Sequence, residues 1–124
     1  MTTLPETPAC QIEAVDVADG IAALDLEGEF DLTAADAIVE QAEEILAAGK
    51  HLIVNLSGAT FIDSSTIQAL FKADAAARKA GRVVVLQFGS RASVARVLSI
   101  TGADEALPIR PTREQAIELI AGGF

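Results

Sequence analysis

Three short polar side chains in succession, Asp63-Ser64-Ser65, follow the apolar pair Phe61-Ile62 and open a segment in which Ile67, Leu70 and Phe71 recur at helical spacing. A helix start presents unpaired N–H groups and the positive end of the peptide dipoles. An Asp or Ser there is first of all a cap, worth ~1 kcal/mol. The same place also suits a phosphoacceptor hydroxyl, because a phosphate would bring roughly −1.5 to −2 charges to the positive end of the helix. With Asp63 adjacent and Asp31 a candidate neighbour, that added charge would repel an acidic approach and alter what a partner reads. The chemistry this points to is a switch by altered affinity.

Other reactive constellations are thin. His51 is the sole histidine and begins an apolar run remote in sequence from Ser64, and no nucleophile motif accompanies a Ser-His-Asp set. Glu40, Glu43 and Glu44 cluster without histidines and read as a solvated helix face. The single cysteine, Cys10, excludes an internal disulfide and a thiolate zinc cluster. No phosphate-binding or dinucleotide-binding glycine motif occurs, and Gly122-Gly123 reads as a frayed tail. No catalytic residue, metal site or cofactor is expected.

The elements that must hold Asp63-Ser64-Ser65 follow from periodicity. Residues 1–9, with Pro5 and Pro8, read as a flexible leader, and 10–121 as a single domain. Ile12 to Val17 and Ile21 to Leu26 are strand-length apolar segments split by Asp19-Gly20, which predicts an antiparallel hairpin. Thr33 stands at a cap position before Ile38, Ala42, Ile45 and Leu46, a first helix that Gly49 ends. His51 to Leu56 is nearly continuous and aliphatic, as a strand buried on both faces requires. A second helix is predicted from Ser64 to about Ala80, a strand over Val83 to Phe88, and a third helix capped by Ser90. A brief edge strand over Leu107 to Ile109 and a last helix opened by Thr112-Arg113-Glu114-Gln115 complete the order. The fold class is α/β: a mixed sheet of four to five strands, antiparallel at its opening, with helices packed against it.

Composition bounds the partners. A chain of 124 residues, 51% hydrophobic, holds material for one core, and with no Trp or Tyr and five Phe that core is aliphatic. The net charge of −9 argues against nucleic acid and anionic membrane surfaces, and favours a basic protein partner. Met1 to Pro8 lacks a basic or apolar targeting pattern, and no apolar run reaches the ~18 residues of a membrane span. A cytoplasmic location without membrane insertion is the resulting expectation.

Three motifs in order, Gly28-Glu29-Phe30-Asp31, Ile53-Val54-Asn55-Leu56-Ser57-Gly58 and Phe61-Ile62-Asp63-Ser64-Ser65, resemble those of the STAS domain family, particularly bacterial anti-sigma-factor antagonists. The resemblance continues through Ala80-Gly81-Arg82 and Val94 to Gly102 and covers residues 10 to 120. It implies a STAS-like fold and a regulatory partner switch. The unmodified protein binds an anti-sigma factor that is also a serine kinase and thereby frees a sigma factor; phosphorylation reverses this, and a phosphatase is a further partner. By the same resemblance Ser64 is the acceptor, Asp31 and Asp63 shape the surface the kinase recognises, and Ser65 is mainly structural. The partner-binding set is Asp31, Asp63, Ser64, Ser65 and Thr66. The sequence departs from the family where Asp-Ser-Ser is usually followed by Gly-Leu-Gly: it has Thr66-Ile67-Gln68, with Thr66 expected to face solvent. Two other readings share the fold: a constitutive binding module (stressosome scaffold or transporter accessory subunit), and a small-molecule or nucleotide sensor.

Overall fold

A computed structural model describes residues 10–123, so the leader expected over 1–9 lies outside the described residues. The chain runs β1 (Cys10–Ala18), β2 (Ile21–Phe30), α1 (Leu32–Ala47), β3 (His51–Ile62), α2 (Ser64–Lys79), β4 (Val84–Gln87), α3 (Ala92–Ile100), α4 (Ala103–Ala106), β5 (Ile109–Arg110) and α5 (Arg113–Ala121). The five strands form one sheet in the order β1-β2-β3-β4-β5, antiparallel between β1 and β2 and parallel elsewhere. The mixed α/β sheet with an antiparallel opening is therefore the observed architecture, with all five strands present.

The aliphatic character of the central strands follows from burial on both faces. Leu52, Val54 and Leu56 of β3 join Leu24, Leu26, Ile38, Leu70 and Leu98 in the main core under α1, α2 and α3. Ile53 turns to the opposite face, where Ile21, Ala23 and Val85 meet Ala116 and Ile120 of α5. Sequence patterning alone does not separate these two faces, because both are apolar in the middle of the sheet.

Several boundaries differ from the sequence reading. Strand β3 continues past Leu56 to Ile62, its second half pairing with Glu27–Phe30 through two register shifts. Ser57-Gly58-Ala59-Thr60 has the composition of a turn, yet Gly58 serves a close crossing. A Cβ at Gly58 would lie 2.9 Å from Glu27 Cγ and 3.1 Å from the Leu26 carbonyl oxygen, so any larger residue there would push the Glu27 side chain and the β2 backbone aside. Helix α1 is capped by Asp31 and not by Thr33, whose N–H donates to the Asp31 carboxylate. Helix α3 begins after Arg91, without a side-chain cap from Ser90. The edge strand lies at Ile109–Arg110, because Leu107 is drawn into the core behind the single turn of α4. Thr112 does cap α5, accepting from the Gln115 N–H at 3.2 Å.

Candidate functional site

Strands β2 and β3 end side by side: Phe30 pairs with Ile62, and both are buried. Each is followed by an aspartate in extended conformation that caps the next helix, Asp31 for α1 and Asp63 for α2. Because β2 and β3 are parallel, the two helices start at the same edge of the sheet and pack alongside one another. The result is a pair of matched helix N-termini. In one, Asp31 is followed by Leu32 and Thr33; in the other, Asp63 is followed by Ser64 and Ser65.

The hydrogen bonds separate the roles of these hydroxyls. Asp63 Oδ1 accepts from the Ser65 N–H at 3.0 Å, the Ser65 hydroxyl at 2.5 Å and the Thr66 N–H at 3.1 Å. On the α1 side, Asp31 Oδ1 accepts from the Thr33 N–H at 3.0 Å and its hydroxyl at 2.6 Å. Ser65 and Thr33 are thus equivalent, each locked onto its cap. Ser64 is exposed, and its hydroxyl has no hydrogen-bond partner among the described residues. Burial raises the Asp63 pKa, but the bonds from Ser65 and Thr66 outweigh it and hold the carboxyl below its ordinary value. Asp63 is therefore an anion at neutral pH, with its near oxygen already committed.

Thr66 does not face solvent as expected. Its side chain is 0% exposed, and its hydroxyl donates to the Phe30 carbonyl at 3.2 Å, with Asp63 Oδ1 at 3.4 Å. Thr66 thus ties the first turn of α2 to the end of β2. Gln68 is exposed. It lines a small cleft of about 70 Å³ between α1 and α2 with Leu32 and Ser65.

The structure brings Asp31, Asp63, Ser64, Ser65 and Thr66 to one edge, while His51 lies at the start of β3, a 12-residue strand away. At ~3.3 Å per residue that separation is roughly 35 Å. The His51 ring instead accepts a hydrogen bond at Nδ1 from the Val83 N–H at 3.1 Å. Burial and the nearby Arg82 guanidinium lower its pKa. Glu40, Glu43 and Glu44 are exposed on α1, and no three His, Cys, Asp or Glu side chains gather into a metal site among the described residues.

One polar network escaped the sequence reading. Asp25, Asn55 and Gln87 stand in register across β2, β3 and β4 on the face that α5 covers. Arg113 of α5 bonds to the Asp25 carboxylate and, at 3.1 Å, to Gln87 Oε1, and Asn55 Nδ2 donates to Asp25 at 3.0 Å. The available signal was a lone Asp in Ile21 to Leu26 and a lone Asn in His51 to Leu56, each interrupting an apolar strand.

The STAS domain family model matches residues 14–116. This chain belongs to the STAS domain family. Solved structures agree with this STAS fold. An anti-sigma factor antagonist from Mycobacterium paratuberculosis aligns with TM-score 0.79 at 22% identity, covering 94% of this chain and 99% of its own. The anti-sigma factor antagonist SpoIIAA in its unphosphorylated form aligns with TM-score 0.77 at 21% identity, over 92% of this chain and 99% of its own. The phosphorylated form of SpoIIAA, described as a Bacillus cell fate determinant, gives 0.67 at 19% identity, over 87% and 97%. No curated protein sequence matches this STAS domain significantly. No helix among the described residues is long and apolar enough to cross a membrane.

Proposed function

We propose that this STAS domain is an anti-sigma-factor antagonist working in the cytoplasm, whose grip on an anti-sigma factor with serine kinase activity is controlled by phosphorylation of Ser64. The observation that carries the reading is the contrast between hydroxyls: those of Ser65 and Thr66 are engaged, while that of Ser64 is exposed beside an ionised Asp63. The domain is a substrate in this reading and not a catalyst. Ser64 Oγ attacks the γ-phosphorus of ATP bound by the kinase, ADP departs, and the hydroxyl proton is released. A phosphatase restores the serine by hydrolysis.

The helix terminus supports a change of affinity more than a change of shape. The Ser65 and Thr66 N–H groups, which could have received a phosphate, already donate to Asp63. The phosphate is then left facing outward beside the Asp31 and Asp63 carboxylates, where its bulk, its like-charge crowding with them and the cost of desolvating close to two negative charges oppose the close contact of a bound partner. To test this, the protein is incubated with the cognate serine kinase and Mg-ATP and the product mapped by mass spectrometry. One phosphate on Ser64, absent from Ser64→Ala, is the expected result. Modification of Ser65 instead, or of no serine, overturns the reading.

A further inference from the structure

We infer that the exposed side chains Leu32 and Phe61 are apolar anchors on either side of Ser64, and that the surface they dock into is an apolar patch with a basic rim on the anti-sigma kinase. The inference rests on the antagonist reading above and assigns the source of binding energy at that site.

Single exposed apolar residues are ordinary, but their clustering is informative. Among the described residues the exposed large hydrophobics are Leu32 at 74%, Phe61 at 46% and Ile100 at 77%. Two of the three stand at the edge that carries Ser64. Leu32 occupies on α1 the first helical position that Ser64 occupies on α2, each directly after its capping aspartate. It also lines the α1–α2 cleft, where Val39 and Ala69 add apolar surface among the polar side chains of Asp36, Ser65, Gln68 and Lys72. Phe61 immediately precedes Ile62; since Ile62 points into the core beneath the helices, the alternation of the strand turns Phe61 to the other face of the sheet. A partner that covers Ser64 from above thus meets a hydrophobic side chain on each flank.

The charges define the complementary chemistry. Asp31, Asp36 and Glu29 are exposed around these two side chains and Asp63 is ionised between them, against a single cation, Lys72, lining the cleft beside Leu32. An occupant must offer cations at the rim and apolar pockets inside it. The two contributions then divide: carboxylates steer the encounter, and burial of Leu32 and Phe61 sets the lifetime of the complex.

Binding of the kinase identified by Ser64 phosphorylation is measured by surface plasmon resonance against wild type, Leu32→Ala, Phe61→Ala, Leu32→Met and Ile100→Ala. Each alanine variant at the site is expected to raise the dissociation rate about tenfold or more with little change in association rate, as truncation of an interface anchor does. Leu32→Met retains apolar area and binds as wild type. Ile100 lies at the far end of α3, whose first turn is joined to the upper part of β3 by the Ser93 hydroxyl bond to the Thr60 carbonyl, so Ile100→Ala has no effect. Circular dichroism melts establish that all variants are folded. If wild type binds and Leu32→Ala and Phe61→Ala bind within about twofold of it, or if Ile100→Ala weakens binding equally, the anchor assignment is wrong. If wild type itself does not bind the kinase, the antagonist reading fails and the anchors with it.

Discussion

Ser64 and Ser65 differ by one position and by everything that matters for modification. The second hydroxyl is held by Asp63, and its loss removes part of a cap; the first is free at the surface. Asp63→Ala, which releases two N–H groups and the Ser65 hydroxyl together, is expected to destabilise the fold by about 1–2 kcal/mol in urea denaturation. The acid limb should respond as well. The folded pKa of Asp63 is depressed, so its contribution is complete above the ordinary value of 3.8 and disappears as pH falls through the lower folded value; Asp63→Asn flattens that segment of the stability profile. Thr66→Val keeps the shape but leaves the Phe30 carbonyl without its donor, a loss of about 1–2 kcal/mol. A variant as stable as wild type contradicts the structural role given to Thr66. That role was invisible in the sequence because burial of one helical residue depends on what packs over the first turn. A cap at Asp63 or Ser64, in contrast, is legible from residue type and position, and the structure gives that cap to Asp63; the acceptor role of Ser64 follows only from the family resemblance.

At the scale of elements, the two strand-to-helix transitions were readable from Phe30-Asp31 and Ile62-Asp63, each an apolar strand residue followed by a capping side chain. The strand carrying the second transition extends to Ile62, beyond the Leu56 at which its apolar run ends, since Ser57 to Thr60 has the composition of a turn and the pairing that makes it a strand is long-range. His51 and Val83 illustrate how the opposite edge is held. The neutral ring accepts the Val83 N–H where β4 is about to begin, and protonation at Nδ1 removes that acceptor. Its folded pKa lies below the ordinary 6.5, so the unfolded chain takes up the proton first. Stability is therefore full above pH 6.5 and declines as pH falls below it, through the depressed folded value. Urea midpoints measured from pH 7.5 down to 5 should show that decline in wild type and not in His51→Leu, which starts from a lower stability at neutral pH. On the other face, α5 is joined to the sheet by Arg113 as well as by Ala116 and Ile120. Arg113→Met is expected to lower stability by about 1–3 kcal/mol and to speed amide hydrogen exchange in α5, because Asp25 loses its cationic partner.

The whole molecule combines a nearly uniform aliphatic interior with an acidic exterior. The net charge of −9 is spread over the surface, and two of its carboxylates, Asp31 and Asp63, cap neighbouring helices at the edge that carries Ser64. Association with a basic kinase surface should accordingly slow severalfold between low and physiological salt, while dissociation changes little. Salt-independent association contradicts electrostatic steering. The fold class could be read from the order of apolar periods, because strands buried on both faces and amphipathic helices leave distinct patterns; the sharing of faces between α1–α3 and α5 could not. The switch is tested by one binding measurement on two forms of the same protein, unmodified and stoichiometrically phosphorylated at Ser64, titrated into the anti-sigma kinase by calorimetry. The phosphorylated form is expected to bind at least about tenfold more weakly than the unmodified form. Equal affinity of the two forms contradicts the switch.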